Sequence, residues 1–196
     1  MSPVPALARW DVKVHADTYP ARTEQPLFWR AFIPVFHRWI QAGQPGGILV
    51  DVAEYTHIPH GPQVLLVGHE GIWTIDTTDG RPGMLYSQRR PPEGTKDPLT
   101  RALHECLKAV ALLEAEPEAK GVLAFRTDRI DVAANDRNAA PNEPATYPGL
   151  EHLVTAVFEP LVGRVTLARE AAPRRRAGVT ATAAARVPAA DLLKKF

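Results

Sequence analysis

Seven residues that can do chemistry fall within one stretch of twenty: Asp51, Glu54, Tyr55, His57, His60, His69 and Glu70. Imidazoles and carboxylates are ligands for zinc and other divalent transition ions, and neutral histidine is the commonest of them. A His57-x-x-His60 pair in a loop, with His69 or Glu70 as third ligand, would leave an open position at which a bound water is activated. Without metal, a histidine beside Glu54 or Glu70 would have its charged form favoured and could serve as an acid–base group. The pattern is not His-Glu-x-x-His on a helix, and polar residues are equally expected in a surface loop and beside a hairpin turn.

Two further clusters carry polar chemistry. Asn135, Asp136, Arg137 and Asn142 could bind hydroxyls and clamp a carboxylate or phosphate, although Asn, Asp and Pro also cap their own turns. Arg174, Arg175 and Arg176, with Arg164, Arg169 and Arg186, could form a positive ridge for anions. Phe196 is the single aromatic of that region, so base stacking has little to work with and nucleic acid is disfavoured as a partner.

Other machinery is missing from the chain. It has two serines, Ser2 and Ser87, and no Gly-x-Ser-x-Gly turn. It carries neither a Gly-x-x-x-x-Gly-Lys-Ser/Thr cradle nor a Gly-x-Gly-x-x-Gly helix opening. The one cysteine, Cys106, falls within an apolar helical stripe and is expected to be a buried structural thiol. No cofactor is expected, and a divalent metal enters only through the histidines.

Elements must position these residues. Ala8–Ala16 alternates as a strand, with Trp10, Val12 and Val14 on one face. Glu24–Ala42 has one apolar helical stripe, ended by Gly43 and expected to kink or split at Pro34. Ile48–Val52 is a continuous apolar run, typical of a buried strand. Gln63–His69, Ile72–Thr77 and Met84–Arg89 then form a meander joined by tight turns. Asp97-Pro98 caps a helix carrying Leu99, Leu103, Cys106, Val110 and Leu113. Val122–Phe125 and Ile130–Ala133 are expected to pair as a hairpin across Thr127–Arg129. A third helix covers Pro148–Leu161. Arg164–Glu170 and Val179–Val187 form a last hairpin, and Ala189–Lys195 a terminal helix. The expectation is an α+β fold: a single domain over 1–196, with a mostly antiparallel sheet and three main helices packed largely on one face.

Composition sets the outer bounds. The 196 residues include 23 Lys+Arg and 22 Asp+Glu, a formal net charge of +1, and 45% hydrophobic residues, as in an ordinary globular chain. The charge is unevenly spread. Gly163–Phe196, the basic terminal hairpin and helix, carries eight Lys/Arg against two Asp/Glu, a net of +6, whereas Met1–Val162 has fifteen against twenty, a net of −5. No apolar run is long enough for a membrane span, and Met1–Pro5 does not open like a signal peptide, so a cytoplasmic location is expected. The function expected from the sequence is a non-enzymatic binding or self-assembly module, with itself or another protein as partner. Its positive segment would meet a negative body, and Leu192, Leu193 and Phe196 would anchor the contact. The alternative is a metal-dependent or acid–base enzyme built on His57, His60, His69 and Glu70.

Overall fold

Alternating residue types assign each strand two unlike faces. In β1 (Trp10–Thr18), Trp10, Val12 and Val14 are at most 2% exposed, while Asp11, Lys13 and His15 point to the opposite side. The computed structural model describes residues 7, 9–20, 25–170 and 172–196; Met1–Pro5, Ala8 and Glu24, which the expected segments include, lie outside the described residues. Following β1 come β2 (Leu49–Glu54), β3 (Pro62–Gly68), β4 (Gly71–Asp76), β5 (Gly83–Gln88), β6 (Ala124–Ala134), β7 (Val165–Arg169) and β8 (Gly178–Ala183). All eight form one sheet in the order β2-β3-β4-β5-β1-β6-β8-β7, and every ladder is antiparallel. The fold is α+β.

The helices cover the apolar face. α1 (Gln25–Arg30) and α2 (Phe32–Ala42) replace the one expected helix, and α3 (Pro98–Ala115), α4 (Tyr147–Val162) and a four-residue α5 (Ala189–Leu192) complete the set. Among the described residues, the helices of more than one turn therefore number four, not three. The break falls at Ala31 rather than at Pro34, which sits in the first turn of α2, where a missing N–H costs nothing. Gly43 ends α2 in the left-handed conformation, φ 65°, that glycine adopts without strain. α3 starts as its sequence requires: Asp97 Oδ1 accepts from the Thr100 N–H at 3.0 Å, with Pro98 beside it. Under α3, Cys106 is fully buried with Sγ 3.4 Å from the Val12 and Met84 carbonyls, and burial pushes its thiol up to about 12. Among the described residues, no helix is long and apolar enough to cross a membrane.

Two expected strand assignments change. Ile48–Val52 is not a buried strand: β2 is an edge, with Ile48 71% and Val50 64% exposed. A run of apolar residues does not reveal whether a strand has one neighbour or two. Val122–Phe125 and Ile130–Ala133 are not a hairpin either. They belong to the continuous strand β6, and Thr127–Arg129 is a bulge, because the partners of β1 jump from Ile130 at Val14 to Arg126 at His15.

The sheet curls towards its polar face. Along a flat sheet, β4 and β8 would stand roughly 19 Å apart, four ladders at about 4.8 Å each. Yet Arg175, just before β8, bonds Asp79, in the turn after β4, at 2.6 Å.

Candidate functional site

The concave polar face encloses an open cleft of about 590 Å³, a size suited to a small ligand. β1 runs through the middle of its floor. Lys13 Nζ donates to Asp76 Oδ2 of β4 at 2.6 Å, with side chains only 10% and 7% exposed. Room for the lysine stem comes from Gly83, opposite His15 in the ladder: a Cβ there would stand 2.5 Å from the Val14 carbonyl and 3.0 Å from Lys13 Cε. Next to Lys13 in register, Asp131 of β6 accepts from the Thr180 hydroxyl of β8 at 2.7 Å. His15 Nε2 lies 2.9 Å from Asp131 Oδ2. Burial works against the Asp131 charge, but the His15 ring, the Thr180 hydroxyl and Arg81 outweigh it and hold this carboxyl below the ordinary aspartate range.

Asp11 has the opposite balance. It is 8% exposed, and burial raises its pKa further than Arg176 and Ser87 lower it, with nearby Asp76 adding to the rise. Arg176 Nη1 bonds Asp11 Oδ2, and Asp11 Oδ1 is buried without a hydrogen-bond partner.

Arginines line the mouth. Arg175 pairs with Asp79 at 2.6 Å, Arg81 reaches Asp79 at 3.5 Å and Asp131 at 3.8 Å, and Arg174 and Arg137 complete the rim. Two clusters some forty residues apart in sequence meet here. Arg137 Nη2 donates to the Arg174 carbonyl at 2.8 Å, and Asn142 Nδ2 donates to the carbonyls of Ala172 at 3.0 Å and Arg175 at 3.3 Å. Tyr147 OH, donating to Asn142 Oδ1 or the Glu170 carbonyl at 2.6 and 2.8 Å, ties the same segment to α4. Arg137 and Asn142 thus hold the backbone that presents Arg174, Arg175 and Arg176. Asn135 and Asp136 serve the fold instead: Asn135 donates to the Gln88 carbonyl at the end of β5, while Asp136 caps its own turn, accepting from the Asn138 and Ala139 amides, and pairs with Arg9 at 2.8 Å.

The histidine constellation is not brought together. His57 and His60 follow β2, before β3, whereas His69 and Glu70 lie beyond its other end, a separation of roughly 20 Å at 3.3 Å per residue. His57, His60 and His69 are exposed, and Glu70 is engaged by Arg101 at 3.1 Å. Glu54 pairs with Arg30 at 2.7 Å and accepts from Thr56; these bonds, Thr56 foremost, lower its pKa. Asp51 Oδ1 accepts from the Val52 N–H at 2.8 Å. Among the described residues, no group of three or more His, Cys, Asp or Glu side chains is arranged to hold a metal ion.

No spacing or motif marks Asp11, Lys13, Asp76, Asp131 and Thr180, which line the cleft, or His15 beside them. For Asp11, Lys13 and His15 the one sequence signal is the polar half of the β1 alternation, which is also what a plain solvent-facing strand displays.

Fold and site define an α+β protein with a curled antiparallel sheet and an arginine-rimmed cleft on its uncovered face. No family model, no curated protein and no solved structure matches the chain.

Proposed function

We propose that the chain is a non-enzymatic binding module whose ligand is a small molecule bearing a carboxylate or phosphate, held in the open-face cleft. One observation carries this reading: Arg81, Arg137, Arg174, Arg175 and Arg176 converge on the mouth of the 590 Å³ cleft, above a floor carrying Lys13. Arg174 has no carboxylate partner among the described residues, so its guanidinium is available to an anion without breaking an existing pair. Reading the arginines as a self-assembly surface has less support, since Arg169, Arg175, Arg176 and Arg186 pair with Glu151, Asp79, Asp11 and Asp17 of their own chain. A cytoplasmic location belongs to the same proposal, with the single, unpaired and buried Cys106 in its favour.

Isothermal titration with inorganic phosphate and with citrate tests it. The parent chain should bind at least one of them, and Arg174→Glu should weaken that binding by about tenfold, the effect of roughly 1.4 kcal/mol. Equal affinity in parent and variant would remove the cleft mouth from consideration.

A second reading rests on Asp11. A buried carboxyl with raised pKa in a cleft is the form a general acid takes, and it relocates acid–base chemistry from the histidines to β1. If that reading holds, any turnover found with a bound ligand should vanish in Asp11→Asn; turnover that persists in the variant excludes it.

A further inference from the structure

The Arg176–Asp11 pair restricts which anions the cleft can accept; this step rests on the cleft being the ligand site. Asp11 is 8% exposed, and its carboxylate is held by a guanidinium that is itself 44% exposed. The other cation of the floor, Lys13, is committed to Asp76 at 2.6 Å. Ser87, opposite Asp11 in the ladder, offers a hydroxyl and no charge. An anion that draws Arg176 away therefore leaves the Asp11 carboxylate buried, beside Asp76, without a counter-charge. Leaving the Asp11 carboxylate without its partner offsets part of what the new contact provides, so a plain anion binds more weakly than one that supplies a cation. A ligand that brings a cation of its own avoids that cost, because the single Arg176–Asp11 pair is replaced by two, Arg176 with the ligand anion and Asp11 with the ligand cation.

We propose that the cleft selects a small zwitterion, with its carboxylate or phosphate on Arg176 and its ammonium on Asp11. The buried Asp11 Oδ1, which has no hydrogen-bond partner, is a ready acceptor for that ammonium once Arg176 turns outward. Arg174 and Arg175, at the rim, complete the anion contact.

Phosphoethanolamine and ethyl phosphate differ by one ammonium group, and titrating each into the full chain tests the proposal without a variant. Phosphoethanolamine should bind at least about tenfold more tightly. In Asp11→Asn, which keeps the side-chain shape and is checked for folding by circular dichroism, that advantage should disappear. Equal affinities in the parent chain would overturn the zwitterion while leaving an anion site standing. Tighter binding of ethyl phosphate, with protons taken up on binding, would overturn it in favour of a protonated Asp11. Failure of both probes to bind would overturn the anion site together with this proposal.

Discussion

Lys13 and Asp76 show how much the cleft floor depends on single charges. Their side chains are nearly buried and bonded at 2.6 Å, so removing one partner strands the other. Lys13→Met should cost about 3–5 kcal/mol in urea unfolding, and adding Asp76→Leu should restore most of it, because the stranded charge is the main penalty. If the single variant unfolds like the parent chain, the pair is not buried as described. Asp131 gives a pH test. Its folded pKa is lowered from 3.8, so it contributes stability above that value, and the contribution is lost as the pH falls through the folded pKa. Asp131→Asn should therefore be destabilised at neutral pH, and the gap from the parent should close as the solution is acidified below about pH 4. A gap that widens on acidification would reverse the assignment. None of these residues belongs to a motif. The sequence of β1 displays Asp11, Lys13 and His15 at period two, but their surroundings come from the neighbouring β6 and from the curl of the sheet, which brings the turn after β4 and the segment before β8 together over them. Long-range closure of that kind leaves no local trace.

Elements with local causes were the legible part. The Asp97 cap of α3 is written in adjacent residues, and Asp97→Ala should cost about 1 kcal/mol, read as a lowered unfolding midpoint; an unchanged midpoint would mean that the cap bond is not made. The β6 bulge was not legible, since Thr127-Asp128-Arg129 has turn chemistry in either setting. Pairing with β1 on both sides of it decides between bulge and hairpin. The β2 edge is a similar case. Tyr55 N donates to the Gln63 carbonyl, so by alternation the Val52 amide points away from β3 to the open edge, where the Asp51 carboxylate takes it. With Ile48 and Val50 exposed beside it, this acid guards an apolar edge against strand addition. Asp51→Val should make the chain associate more strongly with concentration in sedimentation velocity than its parent. Identical sedimentation of the two would deny Asp51 that role.

At the scale of the molecule, the charge split of +6 against −5 is partly consumed internally. The terminal segment closes over the body through Arg169–Glu151, Arg175–Asp79, Arg176–Asp11 and Arg186–Asp17. Leu192 is buried and Leu193 packs on the same core, so two of the three apolar residues that the sequence offered for docking are held by their own chain; Phe196 stays 44% exposed, its ring 5.1 Å from that of His104. The asymmetry was legible, whereas the surface it meets was not, because complementary charge can lie in the same chain or another. Of the candidate residues, Arg137, Asn142 and Arg174–Arg176 converge on one site, while His57 and His60 are separated from His69 and Glu70 by the length of β3. The most direct test of the cleft is an amide chemical-shift titration with phosphoethanolamine. Saturable shifts should concentrate at Asp11–His15, Asp79–Arg81, Asp131 and Arg174–Thr180. Shifts confined to the His57–His60 loop or the His69–Glu70 turn, or no saturable shifts at all, would contradict the cleft as the ligand site.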